Sequence, residues 1–585
     1  MNAEEIWHHE SDGELIAAAQ RLDEYTEDAQ RIIRAELERR RSPEYLLEQE
    51  ARPSPVKPTP HPSAPRVSRK QTTWLVQRVL LATVLMIGFY LFAALIALTL
   101  LWIPYAGWTY IGRVHVKIAA LCVGAGLTIL WALVPRRDRF VPAGPRLDES
   151  VHPRLFQMIH EVAAATGQAA PADVYLLNEV NAWVAHRGGT MGFGSHRVMG
   201  VGLPLLQALS IAEFKAVIAH EFGHYWSGDV KLGPWIYKTR AAIGRTIDGV
   251  HETFIEAPFL WYGRLFLKLT HAVSREQEFI ADEVAARVAG APALASALRR
   301  ITALAPLFSA YMSRDVMPVL QAGCLPPIAA GFDEFLNADF IRDTSKQIIE
   351  TVEGEGQTDL FDTHPSLRDR LAALGCGRDS SAHVDGAPPA STLIKDTDQQ
   401  ARALLAFAFG AEPIAALKAI DWNVVGESVI AVRWRDVAKS HSAWLSRFTA
   451  DVVASGQHQF IRLGSELVGS GEQNVNSGER IERAVFVFAT GIGVLLLDQG
   501  WRVETGPGRP VVFTRESATF DPFASVRALS EGLTTDDAWK AECHALGIAG
   551  QPLGRRVASV PPTRGPHTAP LLHGTDAAPV RALEQ

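Results

Sequence analysis

The sequence predicts an α+β protein: a mostly helical domain with a small sheet, preceded by a two-helix transmembrane hairpin and followed by a mixed α/β domain. Three observations carry this expectation. Val79 to Trp102 runs more than twenty residues without a charge, and Ile118 to Val134 is a second, shorter uncharged run; a helix crosses a bilayer core with about 20 apolar residues. Around Asp173 to Leu177 and Arg197 to Val201, short apolar runs bounded by Gly and polar residues read as strands. From Ser210 onward a polar cap is followed by apolar residues at helical spacing.

Taken in order, residues 1–50 form a helical module: Ser11-Asp12-Gly13-Glu14 and Thr26-Glu27-Asp28 each open an amphipathic pattern. The start, Met1-Asn2-Ala3-Glu4-Glu5, is acidic where a secretory signal is basic. The module either docks a partner or substrate or serves as a spacer. Residues 51–70 are rich in proline and form an extended linker. The transmembrane hairpin is expected over 71–139, with spans of about 79–102 and 114–134; for the second, a buried core helix is the alternative. Arg66, Arg69, Lys70 and Arg78 precede the first span and Arg136, Arg137 and Arg139 follow the second. Only Arg113 and Lys117 lie in or near the connection. This asymmetry places both termini and the following domain in the cytoplasm.

A further folded domain is expected over 140–385, a C-terminal α/β domain of unassigned role over 390–548, and a disordered tail over 549–585. In the C-terminal part Asp398 to Phe409 reads as helix, Ser428 to Trp434 as strand, and Ala484 to Leu497 as a buried element too short to span. With 21% charged residues and a net charge of -7 over 585 residues, nothing indicates nucleic-acid binding. Four scattered cysteines give neither a disulfide framework nor a cysteine zinc site.

The chemistry is carried by Ala219-His220-Glu221-Phe222-Gly223-His224. Ser210 and Glu213 have the form of a capping box, and Phe214, Val217 and Ile218 give the helix an apolar face, so it starts near Ile211. Residues four apart stack on one helix face, so His220 and His224 offer imidazole nitrogens to one zinc ion with Glu221 beside it. A catalytic zinc has three protein ligands and lowers the pKa of a water toward neutrality; Glu221 is placed to take its proton. The five residues also arise by chance in a chain this long, so context must decide. Glu213 and Lys215 precede His220 in the same helix, which is costly in hydrocarbon and implies a water-exposed site.

A third ligand is needed. A metzincin would place histidine at 230, which is Val230. In Ser274-Arg275-Glu276-Gln277-Glu278-Phe279-Ile280-Ala281-Asp282, Ser274 and Gln277 suit a capping box, so Glu278 falls in the first turn of a new helix with Asp282 on the same face. Glu278 could ligate zinc and Asp282 orient a ligating histidine; alternatively this is one more charged helix face. His251 and His271 lack suitable spacing and are read as non-ligands. Between the motifs, Pro258 to Leu269 is rich in aromatics, but Arg264 and Lys268 interrupt it too early for a span. It lies at the bilayer surface or in the core.

Four pieces in order resemble the HtpX-like membrane zinc metalloproteases, the family that also contains the CAAX prenyl protease. They are Val201-Gly202-Leu203 through the two histidines to Asp229, Asn181-Ala182-Trp183, Ser274-Arg275 to Glu278 and Asp282, and Thr363-His364-Pro365 with Arg370. The resemblance covers roughly residues 150 to 375. It implies a zincin-like metallopeptidase fold, one Zn2+ per chain held by His220, His224 and Glu278, and Glu221 as general base. Asn181, Ala182, Trp183, His364 and Arg370 are then candidates for substrate or transition-state contacts. Pro365 suits the first position of a helix that carries Arg370.

The expected function is a membrane-anchored zinc endopeptidase in the bacterial inner membrane, acting on membrane or misfolded proteins at the cytoplasmic face. Its partners are a polypeptide substrate and the lipid bilayer, with the N-terminal module or C-terminal domain available to a partner protein. The alternatives are a catalytically silent membrane scaffold on a protease fold, and a processing protease for one specific substrate.

Overall fold

The computed structural model describes residues 69–554 other than 114, 135–139, 189–194, 225–232, 252, 254, 355–364, 378–386, 454 and 469–474, together with Gln30, Ile32 and Ala35, which are helical. The N-terminal module as a unit, most of the proline-rich linker, His364 and the tail beyond 554 lie outside the described residues. The fold is mostly helical with small sheets.

Helices α1 (Arg69–Ala106) and α2 (Val116–Leu133) come first and form a hairpin. Both are long and apolar enough to cross a membrane, by length and composition. Gly126 lets them approach closely: a Cβ there would stand 2.9 Å from Leu101 Cγ and 3.1 Å from the Ala97 carbonyl oxygen. Small residues serve this purpose where lipid gives helices no hydrophobic reason to associate.

The next part is built on a four-stranded sheet. Its strands are β1 (Arg146–Leu147), β2 (Asp173–Leu177), β3 (Ala182–Arg187) and β4 (His196–Gly202), in the order β1-β2-β4-β3. β2 and β4 pair in parallel, with Val174 opposite Met199, and are covered on both faces, which explains their continuous apolar runs. β3 runs antiparallel to β4 at the edge and alternates buried with half-buried residues. Between β1 and β2, α3 (Pro153–Ala165) buries Leu155, Ile159 and Val162 at helical spacing. After β4, the short α4 (Leu203–Ala208) leads to α5 (Ile211–Gly223), which carries His220 and ends at His224, its C-cap. Phe214, Ile218 and Phe222 of α5 share one apolar core with α3 and the sheet.

Helix α6 (Gly233–Gly249) then turns into α7 (Glu256–Ala289), and α8 (Ala291–Ala310) follows. The expected new helix starting at Ser274 is corrected: α7 is one helix of 34 residues, and Ser274 lies in its interior. No Gly or Pro occurs from Arg264 to Ala289, so nothing in the chain ends the helix. A Ser and a Gln three apart are neighbours inside a helix as well as at its start. Pro258 to Leu269 belongs to the same helix, and its Phe259, Tyr262 and Phe266 are buried with Met86 and Phe89 of α1.

The remaining helices include α9 (Ile328–Asn337), α10 (Asp339–Gly354), α11 (Leu367–Ala373), α12 (Thr397–Phe409), α13 (Ala431–Ser440), α14 (Gln457–Glu466) and α15 (Ser477–Asp498). Side chains from Ala390 to Val429 join the core that contains α5, whereas those from Ala431 to Leu553 form a second core around α15. A three-stranded antiparallel sheet, β5 (Arg502–Glu504), β6 (Val512–Arg515) and β7 (Ala518–Phe520), lies beside that second core. The strand expected over Ser428 to Trp434 is helical instead. Ala431, Trp434 and Ala438 are buried there at spacings that suit one helix face.

Candidate metal centre

Helix α5 begins as its sequence dictates. The Ser210 backbone N–H donates to Glu213 Oε2 at 2.7 Å, and the Glu213 N–H donates to Ser210 Oγ at 3.3 Å, closing the capping box. Glu213 is further held by Ser296 (2.5 Å) and Arg300 (3.0 Å). The helix start is thus tied to α8, and His220 and His224 follow at its far end with ring centroids 4.7 Å apart.

Helix α7 packs along α5, and the two backbones come close at Gly223. A Cβ on Gly223 would stand 2.8 Å from Ala281 Cα and 3.0 Å from its carbonyl oxygen. Glu278, Ala281 and Asp282 share a helix face, so this approach turns both acids toward the histidines. Sequence reasoning missed Gly223 as a site residue, although a glycine inside a helical pattern is a legible signal of close packing. Gly223→Ala is expected to push α7 away and weaken metal binding at least as much as it destabilises the fold. Comparing metal affinity with unfolding midpoint checks this; unchanged affinity would show that the approach is not what sets the ligand spacing.

Glu278 Oε2 lies 3.4 Å from His220 Nε2, and Glu278 Oε1 lies 3.7 Å from His224 Nε2. Among the described residues, His220, His224 and Glu278 form a group able to hold a metal ion, with ligand atoms within 4.8 Å of one another. Ligands about 2.0–2.2 Å from a tetrahedral zinc stand about 3.3–3.6 Å apart, so the spacing suits one ion with a position left open. Glu221 is half-buried and outside this group.

Behind the ligands, Asp282 Oδ1 lies 2.9 Å from His220 Nδ1. An Nδ1–H donated to Asp282 leaves the Nε2 lone pair for a metal. Arg370, on α11, donates from Nε to Asp282 Oδ2 at 2.8 Å and from Nη2 to Oδ1 at 2.6 Å. Its Nη1 is 3.6 Å from Glu278 Oε2. Burial by itself raises the Asp282 carboxyl, but the hydrogen bonds from Arg370 and His220 overcome it and hold the group below the ordinary carboxylate range. Burial by itself lowers the His220 imidazole. Its hydrogen bonds to Asp282 and Glu278, with the charge of Glu221, reverse this and bring it up to about 9. A raised imidazole pKa opposes metal binding, because the ligating nitrogen must be free of its proton.

The other sequence candidates are placed as follows. Asn181 precedes edge strand β3, and its carbonyl accepts the Gly202 N–H at 2.8 Å. Ala182 is buried. Trp183 is half-buried and lies across Gly200, where a Cβ would stand 2.5 Å from the indole. β3 packs against α5. Arg370 is brought to the ligands; His364 lies outside the described residues. Pro365 is not the first helical residue: Ser366 caps α11 by accepting the Asp369 N–H at 3.1 Å. The hydroxyl satisfies a free donor of the first turn, which proline cannot do. His251 pairs with Glu256 at 3.2 Å and is absent from the metal-holding group.

Residues 149–376 match the model of Peptidase family M48, a stretch that contains the two histidines, both acids and Arg370. Together with the two apolar helices, this defines a membrane metallopeptidase. The match and the relatives below support an HtpX-like member of that family, at low sequence identity. It is 28% identical over 296 residues to a protease HtpX homolog of Acidiphilium cryptum, covering 48% of this chain and 92% of that one. It is 26% identical over 247 residues to a protease HtpX homolog of Burkholderia multivorans (39% and 75%), and 28% identical over 247 residues to protease HtpX homolog 2 of Methanosarcina mazei (39% and 74%). No solved structure matches the chain.

Proposed function

We propose that this chain is a membrane-anchored zinc endopeptidase of zincin-like fold, with its peptidase part over about 140–385. The observation that carries the reading is the convergence of His220 and His224 from α5 with Glu278 from α7, at spacings that fit a single ion. A bound zinc supplies Lewis acidity toward the scissile carbonyl and toward a water. Glu221 takes the water's proton and delivers it to the leaving amine. Asp282 holds the His220 ring in its ligating tautomer, and Arg370 keeps Asp282 ionised and in place. An extended substrate pairs with the edge of β3 by strand addition, with Asn181, Ala182 and Trp183 on that side.

The basic residues flanking α1 and α2 favour a cytoplasmic site, and membrane or misfolded proteins are the substrate class. The N-terminal module (1–50) and the C-terminal domain (390–548) are available to a partner protein or to regulation.

The test is metal content of the detergent-purified chain beside Glu278→Ala, with cleavage of a casein-type substrate by both. The expected result is about one zinc per chain in the wild type, and metal and cleavage lost together in the variant. Wild-type zinc retained without Glu278 would reassign the third ligand.

A further inference from the structure

Helix α6 and the first half of α7 form a hairpin that lies against the two apolar helices. The Arg245 guanidinium donates to the Ala132 carbonyl at 3.0 Å, near the C-terminal end of α2. One turn further on, Gly249 comes so close to α2 that a Cβ would stand 2.6 Å from Thr128 Cγ2. Val250 and Ile255, which flank the turn, are buried in the same core as Ile129 and Ala93. On the way back, the Phe259 ring lies 5.6 Å from Phe92, and the Tyr262 hydroxyl donates to the Leu85 carbonyl at 2.7 Å. Gly88 makes room for that hydroxyl, since a Cβ there would stand 2.8 Å from it.

These contacts fix the depth of the turn. With 18 residues, α2 is about 27 Å long and only just matches a hydrocarbon core of about 30 Å. Its midpoint must therefore lie near the bilayer's middle. Thr128 is about 5 Å from that midpoint along the helix, so the turn beside it reaches almost as deep. On the outer face of α7, Trp261 (63% exposed) and Leu267 are exposed apolar side chains, as are Leu91 and Leu95 of α1 and Trp131 of α2. Arg264 and Lys268 are exposed toward the catalytic end of α7, where long basic side chains reach headgroups while their stems stay in apolar surroundings. Asp248, at the end of α6, is exposed, and the turn carries His251, whose Nδ1 lies 3.2 Å from Glu256 Oε1. Ionisable groups at such depth are costly unless water reaches them.

We propose that α6 and α7 form a re-entrant hairpin, entering the bilayer from the side of the catalytic site and facing lipid through Trp261 and Leu267. Its polar turn holds a hydrated notch open in that leaflet. This rests on α1 and α2 crossing the bilayer, and it deepens the peptidase reading by fixing the height of the site. About 33 Å of continuous helix separate Glu256 from Glu278. Half a bilayer with its headgroups is about 20–22 Å thick. With the turn about 5 Å short of the midplane, the metal ligands therefore stand about 15 Å beyond the membrane surface, within reach of polypeptide emerging from the bilayer beside the hairpin.

The experiment is spin-label accessibility on the full chain in phospholipid nanodiscs, with the native cysteines replaced. Single labels go on Trp261→Cys, His251→Cys, Leu95→Cys as the lipid reference and Leu533→Cys, 76% exposed in the second half of the chain, as the water reference. Collision with oxygen reports lipid, and collision with a water-soluble nickel chelate reports water. The expected result is position 261 as oxygen-rich and nickel-poor as position 95, with nickel collisions at 251 several-fold above those at 95. Position 261 matching 533 while 95 stays protected overturns the re-entrant hairpin. Position 251 as protected from nickel as 95 overturns the hydrated notch. Nickel reaching 95 as freely as 533 overturns instead the reading of α1 as a span.

Discussion

Glu221→Gln is expected to keep its metal and lose nearly all peptide-bond hydrolysis. Glu221 follows His220 on α5 but is not one of the residues whose atoms converge as a ligand set, so removing its charge leaves the three ligands in place. Glutamine has nearly the same shape and cannot accept the water's proton. A general base is typically worth on the order of a hundred- to ten-thousand-fold in rate, so kcat should fall by that factor while zinc stoichiometry stays near wild type. The check is kcat and KM on an unfolded substrate, beside metal analysis of the same preparations. Cleavage within a few-fold of wild type would remove Glu221 from the proton transfer. Loss of metal would instead make Glu221 part of the binding site.

The ligand helix α5 was legible because its start, its apolar face and its histidines are all encoded within fifteen residues, Ser210 to His224. Local signals of that kind survive any tertiary context. The second ligand helix was legible only in part. Glu278 and Asp282 share a face whether the helix begins at Ser274 or at Glu256, so the pairing stood although the boundary did not. What a single sequence does not encode is the approach of one helix to another. The Gly223 contact with Ala281 and the reach of Arg370 across to Asp282 join positions far apart in the chain. Likewise Pro258 to Leu269 is too interrupted for a span by composition, and the positions of Phe259 against Phe92 and Tyr262 against Leu85 show that it lies along α1. The apparent strand at Ser428 to Trp434 failed for a related reason: a short run rich in β-branched residues carries weak propensity, and packing of Trp434 and Ala438 into the second core decides for helix.

Arg370→Ala is expected to have the second largest effect, through Asp282. That carboxylate is 1% exposed and receives two hydrogen bonds from the guanidinium, with His220 as its other partner. Removing one member of a buried pair leaves a charge in a poorly solvated place, which typically costs about 3–5 kcal/mol. Asp282 then either takes up a proton or turns away, and in both cases His220 Nδ1 loses the acceptor that fixes its tautomer. Loss of such an outer partner typically lowers metal affinity about 10- to 100-fold, and cleavage at limiting metal should fall with it. Arg370→Gln combined with Asp282→Asn separates the two effects. The neutral pair no longer buries an unpaired charge, so the unfolding midpoint should recover more than the metal affinity does. A zinc titration followed by competition with a chelator measures the affinity, and a thermal melt of the metal-free chain measures the midpoint. Arg370→Ala binding zinc as tightly as wild type would confine this arginine to stabilising the fold. Equal recovery of both quantities in the double variant would show that ring orientation by Asp282 does not require its charge.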